Sequence, residues 1–140
     1  MKSILILILA IGFTSYAQKP ILIINNSVIA SIDLLNKTSS QNILELEVNK
    51  EKKLSSTYLF VENEKSGGII EVNIKEKFKV KSQKELNSFF GLNEKNDIYV
   101  NGYLIENKSF NILSESIVAI ELVNANNFKL NKKFLNIKTE

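Results

Sequence analysis

The chain has 140 residues, 44% of them apolar and 24% charged, with a formal net charge of +3, a profile that fits one small folded domain or two very small ones. It has no Cys, His, Trp or Arg, so all 18 basic residues are Lys. Disulfides, thiol nucleophiles, imidazole bases, Cys/His metal sites and bidentate Arg clamps are excluded together, which leaves Lys, carboxylate, hydroxyl and amide chemistry.

The first predicted element is a leader. Met1-Lys2-Ser3 precedes an uncharged apolar run from Ile4 to Phe13, followed by Thr14-Ser15-Tyr16-Ala17 and then Gln18-Lys19-Pro20. A short basic start, a short apolar centre and a small residue before the cut predict a secretory signal peptide over 1–17, cleaved after Ala17. A membrane anchor needs about twenty apolar residues, and this run is too short. The mature chain is expected in the periplasm or outside the cell, with no membrane span and with association to the outer membrane as a further possibility. Loss of Lys2 leaves a charge of +2, and the lysines interleave with glutamates over 47–53 and 74–81. That pattern predicts a solvated mixed-charge surface and no nucleic-acid partner.

Pro20 to Ile24 is a short β-branched run closed by Asn25-Asn26, residues that tolerate positive φ, and it predicts strand, tight turn and second short strand. Ala30 to Asn36 has partly helical spacing, enough for a turn or two of helix. Ile43 to Val48 alternates and predicts a strand with Leu44, Leu46 and Val48 on one face and Glu45 and Glu47 on the other. Thr57 to Glu62 reads as a strand, Ser66-Gly67-Gly68 as a turn and Ile69 to Ile74 as another strand. Ser82-Gln83-Lys84-Glu85 has the capping-box pattern; Leu86, Phe89 and Phe90 continue with helical spacing, and Gly91 stands where a C-terminal cap belongs.

Segments on either side of that helix look alike. Ile24 to Ile29 aligns with Val100 to Ile105 at an offset of 76, Ile43 to Val48 with Ile117 to Leu122 at 74, and Val72 to Lys75 with Leu135 to Lys138 at 63. Order is kept and Asn occupies the turn both times, which predicts an internal duplication. Leu46 and Ile120 are then equivalent inward positions, and Glu47 and Glu121 equivalent outward ones. The expected organisation is repeat 1 over 18–81, a linker helix over 82–92 and repeat 2 over 93–140. Units this small should share a sheet or pack on each other as one domain.

Pro20-Ile21-Leu22-Ile23-Ile24-Asn25-Asn26, Ile43-Leu44-Glu45-Leu46-Glu47-Val48-Asn49-Lys50 and Gly67-Gly68-Ile69-Ile70-Glu71-Val72-Asn73-Ile74-Lys75 together resemble the plug domain of TonB-dependent outer-membrane receptors. The second copy resembles it through Ile98-Tyr99-Val100-Asn101-Gly102, Ile117 to Leu122 and Leu135 to Thr139. Asn25-Asn26 stands where that family has Asp-Gly, and the second copy lacks the Gly-Gly before its last strand. The resemblance implies an α+β fold of small mixed sheets, built from two plug-like repeats joined by a short helix. Because a receptor barrel needs several hundred residues, it implies a freestanding plug-like binding module of the bacterial envelope, associated with outer-membrane uptake, and not a transporter.

No catalytic, cofactor-binding or metal-binding residue is assigned. Glu45 with Glu47 and Glu62 with Glu64 are i, i+2 carboxylates that on a strand both point to solvent. Gly67-Gly68 is followed by no helix to hold a phosphate, and Asp33, Asp97, Asn124, Asn126 and Asn127 lack calcium-loop spacing. A small secreted hydrolase using two carboxylates, or a receptor-derived relic with no partner, are the competing readings. The expected partner is an envelope protein or extracellular macromolecule, engaged through a sheet edge or through the turn at Asn101, Gly102 and Tyr103, with Tyr58 and Tyr103 as exposed aromatic contacts.

Overall fold

A computed structural model of the chain describes residues 19–59, 67–124 and 132–139. The expected leader lies outside them. The fold is α+β, mostly strands, arranged as two small mixed sheets with few helices. In chain order the elements are β1 (Ile21–Ile24), β2 (Val28–Ser31), α1 (Asp33–Lys37), β3 (Ile43–Asn49), β4 (Ile69–Ile74), β5 (Val80–Ser82), α2 (Gln83–Phe89), β6 (Ile98–Val100), β7 (Tyr103–Leu104), β8 (Asn111–Leu113), β9 (Ala119–Asn124) and β10 (Lys133–Lys138). Short 3-10 turns at Ser40–Asn42 and Ser114–Ser116 lead towards β3 and β9.

The first sheet has the order β3-β4-β1-β2-β8-β5 and the second β7-β6-β10-β9. In the first, β1 pairs antiparallel with β2 and parallel with β4, and β4 pairs antiparallel with β3. In the second, β6 pairs antiparallel with β7 and parallel with β10, and β10 pairs antiparallel with β9. The order β3-β4-β1-β2 is thus matched, strand for strand and direction for direction, by β9-β10-β6-β7. Ile24 lies beside Val72 as Val100 lies beside Ile137, and Leu46 lies opposite Val72 as Ile120 lies opposite Ile137. These pairings place Val72 level with Ile137, not with Leu135 as the sequence alignment has it. A slip of two residues keeps every side chain on its face, so the alternation alone could not detect it.

β1 is apolar at every position because both of its faces are covered. Leu22 and Ile24 join Ala30, Ile70, Val72 and Ile74 in a first core, closed by Ile32 and by Leu34 and Leu35 of α1. Ile21 and Ile23 join Ile29, Ile69 and Ile112 in a second core. Across it lie Ile98, Val100, Tyr103, Leu135 and Ile137 of the second sheet and Leu86 of α2. The two halves also interlock. β8 follows β7 in the chain, yet it pairs with β2 and β5 in the first sheet, so that sheet is completed only by residues far along the sequence.

The capping box forms as its pattern predicts: Glu85 N–H donates to Ser82 Oγ at 3.1 Å, and Ser82 N–H donates to Glu85 Oε2 at 2.8 Å. Of the helical apolar residues, Leu86 is buried and Phe90 packs on the second core, but Phe89 is 84% exposed. Four local expectations change. The helix expected over Ala30–Asn36 starts only at Asp33, because Ala30 and Ser31 are held in β2 opposite Leu22 and Ile21. The alternation of Ile43–Val48 breaks at its start: the β3/β4 register shifts between Ile43 and Glu45. Leu46 and Val48 still pack on the first core, while Leu44 is 61% exposed. In place of a strand over Thr57–Glu62 there is a single bridge from Tyr58 to Tyr103, and residues 60–62 lie outside the described residues. Asn101-Gly102 is a two-residue connection, whereas three residues separate Ile24 from Val28, so the offset of 76 drops to 75 past the turn.

Gly68 begins β4's approach with φ +83°, and a Cβ there would lie 2.7 Å from both the Asn49 C=O oxygen and the Lys50 Cα. Gly91, at φ +70°, has open space around the same position. Gly68→Ala is therefore expected to cost about 3 kcal/mol or more, combining left-handed strain with overpacking against backbone, and Gly91→Ala about 1 kcal/mol. Urea melts of the two variants check this; equal losses would show that the crowding at Gly68 is relieved cheaply.

Candidate interaction surface

The two Asn turns differ in length but share their left-handed residues and their side-chain contacts. Asn25 and Asn26 sit at φ 50° and 57°, Asn101 and Gly102 at 50° and 88°, the left-handed conformations such hairpin turns require. Asn25 N–H donates to the Val72 C=O at 2.8 Å, as Asn101 N–H does to the Ile137 C=O at 2.8 Å. The side chains then clasp the parallel neighbour two residues further on. Asn25 Oδ1 accepts from Ile74 N–H at 2.9 Å and its Nδ2 donates to the Ile74 C=O at 3.1 Å. Asn101 Oδ1 accepts from Thr139 N–H at 2.9 Å and its Nδ2 donates to Thr139 Oγ1 at 2.8 Å. Sequence reasoning assigned these Asn a tolerance of positive φ and, at Asn101, a place in an expected partner contact. Their second role, a polar clasp between β1 and β4 and between β6 and β10, was signalled only by the recurrence of Asn at both turns.

Of the expected contact residues, the structure brings Tyr58, Asn101, Gly102 and Tyr103 together but does not expose the aromatic pair as a recognition surface. Tyr103 is 3% exposed and belongs to the second core. Its ring centroid lies 4.5 Å from that of Tyr58, which is half-buried. The reason is the turn length. Tyr103 stands directly across from Val100, and cross-strand partners share a face of the sheet, so it follows Val100 inward. The turn's backbone is also engaged: Gly102 N–H donates to Asn136 Oδ1 at 3.0 Å and its C=O accepts from Leu59 N–H at 2.9 Å. Leu104 N–H donates to the Thr57 C=O at 3.2 Å, so residues 57–59 line the outer side of β7.

The edges left open among the described residues are β3, β5 and β9. β3 carries Glu45 and Glu47, both exposed, with Asn73 Nδ2 donating to Glu45 at 3.1 Å and Lys52 paired to the adjacent Glu71 at 2.7 Å. β9 carries one charge, Glu121, which pairs with Lys138 at 2.7 Å and accepts from Asn136 Nδ2 at 3.2 Å. A groove of about 360 Å³ runs between α1 and the segment before β5, lined by Leu34, Phe78 and Leu113 and by charges of both signs, Lys37, Lys77 and Lys79 with Glu76 and Glu115. No described group of three or more carboxylates could hold a metal ion. No helix among the described residues is long and apolar enough to cross a membrane.

Among the described residues, the two carboxylates with perturbed acidity are held ionised, the opposite of what a general acid requires. Hydrogen bonds from Ser82 keep Glu85 below its ordinary 4.5, and hydrogen bonds from Lys138 and Asn136 do the same for Glu121. A carboxyl whose folded value is depressed stabilises the fold above its unfolded value, and that contribution is lost as the pH falls through the folded value. The melting temperature should therefore fall on acidification from about pH 5 downward. Lys138→Met should make the fall shallower without touching the part owed to Glu85; an unchanged slope in thermal scans would remove Glu121 from the account. Burial and the neighbouring Asp97 raise the Tyr99 hydroxyl instead, so it stays protonated at neutral pH.

No family model, curated protein sequence or solved structure matches the chain.

Proposed function

We propose that this chain is an exported, non-catalytic module of the bacterial cell envelope, made of two plug-like repeats and acting by binding another envelope component or an extracellular macromolecule, in association with outer-membrane uptake. The observation that carries the reading is the shared plan of β3-β4-β1-β2 and β9-β10-β6-β7, down to an Asn at each turn clasping the parallel neighbour. Two such units in one chain point to duplication of a half-motif, and the interlocking of β8 favours one domain over two. Binding through a sheet edge fits the open backbone of β3. The turn at Asn101-Gly102, with Tyr103 folded inward, is withdrawn as the contact.

Two measurements test this together. Mass spectrometry of the protein recovered from periplasm and medium should find a chain beginning at Gln18; a chain beginning at Met1 in those fractions overturns the cleaved-leader part. Affinity capture from envelope extract should recover a defined component that Glu45→Lys with Glu47→Lys releases. Capture of nothing specific, together with turnover of a sugar library, would replace the binding reading with the hydrolase.

A further inference from the structure

We propose that β9 is a self-pairing edge, through which two copies of this chain join antiparallel into one continuous sheet of order β7-β6-β10-β9-β9-β10-β6-β7. This goes beyond the binding-module reading and concerns the chain alone, so it stands or falls whether or not a foreign partner exists.

The argument comes from comparing the two edge strands that occupy the same place in their sheets. Leu46 and Ile120 are level, so Glu45 and Glu47 of β3 correspond to Ala119 and Glu121 of β9. Consider each strand paired with its own copy about a twofold axis through that central residue. In β3 such a pairing sets Glu45 against Glu47 of the other copy, twice, and like charges directly opposite one another destabilise a ladder. Charge of one sign on an exposed edge thus keeps the strand from adding to its own copy, while leaving it open to a strand of opposite charge. In β9 the same pairing sets Ile120 against Ile120 and Ala119 against Glu121, with no like charges opposed. It also lays the apolar ends of the strands, Ile117-Val118 and Leu122-Val123, along each other. Val118 is 68% exposed and Leu122 43% exposed in the single chain, so they gain cover by it.

Neither strand has Lys or Pro, so the second glutamate is what sets β3 apart, and the one charge of β9 is already paired with Lys138 and Asn136 within the same sheet. Both strands share an irregular start: Val118 N–H donates to the Lys138 C=O at 2.8 Å although Lys138 stands opposite Ala119, much as the β3 register shifts after Ile43. That irregularity precedes the regular run of β9 and leaves 119–124 in register with β10. In this register only 119–121 of each copy meet strand to strand, flanked by 117–118 against 122–123, so the interface is small and the dimer is weak and concentration-dependent.

Sedimentation equilibrium of the purified protein from about 10 μM to about 1 mM should show the mass rising to twice that of the chain. Ala119→Glu, an exposed position, restores the charge pattern of β3 and should raise the midpoint of association at least about tenfold, equivalent to about 1.4 kcal/mol. Because the protein has no Cys, single cysteines report the register. Ile120→Cys, opposite itself across the axis, should form a disulfide dimer under mild oxidation. Leu122→Cys, about 13 Å from its copy along the ladder, should not. A monomer over the whole range overturns the proposal, as does cross-linking at position 122 equal to that at 120. Association that survives Ala119→Glu, including any through the apolar run at Ile4–Phe13, overturns it as well.

Discussion

Residues 18–80 expressed alone are expected to give neither a dispersed amide spectrum nor a cooperative melt. The fragment contains β1 to β4, which pair with one another, and α1, which covers one face of their sheet. It lacks β8, the strand beside β2, and everything that covers the other face. Ile21, Ile23, Ile29 and Ile69, all buried in the whole chain, would then face water, each forfeiting about 1.5–3 kcal/mol of burial. Domains of this size are only marginally stable when complete, at about 5–15 kcal/mol, so the loss is comparable with the whole. Adding residues 81–140 as a separate chain should restore dispersion, because β8 and the second sheet supply the missing cover. A cooperative melt of the fragment alone would mean that the two sheets are independent and that the packing between them contributes little.

Tyr103→Ala is expected to be among the most damaging single substitutions, at about 3–5 kcal/mol, the range for removing a buried aromatic ring. Three things are lost together: the ring in the second core, its contact with Tyr58 at 4.5 Å, and the packing that holds residues 57–59 against β7. Tyr103→Phe keeps the ring and should cost far less, which separates packing from any role of the hydroxyl. Denaturant melts of the two variants decide it. If Tyr103→Ala melted like the parent while partner capture fell, the residue would be a surface contact after all and its place in the core would be wrong.

The sequence by itself determined what depends on neighbours along the chain. The positive-φ turns at Asn25-Asn26 and Asn101-Gly102 were legible because few residues tolerate that conformation. Ser82 and Glu85 marked a helix start because a capping box needs only four residues. The central strands β1 and β4 declared themselves by β-branched runs, and the lack of Cys, His and Arg removed whole classes of chemistry at once. The inward course of Tyr103 was also there to be counted: a two-residue turn after Val100 sets the next residue opposite it. Only the tertiary structure decided the rest. That β8 leaves its own half to finish the first sheet depends on pairing with β2, far back along the chain, and no local signal carries it. Leu44 is exposed despite its apolar parity because the β3/β4 register shifts after Ile43, a property of two strands and not of one. Asn25 and Asn101 became clasps because Ile74 and Thr139 arrive beside them, and the outer edge of β9 stayed open because nothing described packs there. Alternation tells a residue's face but not what meets that face, and it repeats every two residues, so offsets of 63 and 65 looked the same until the strands were paired.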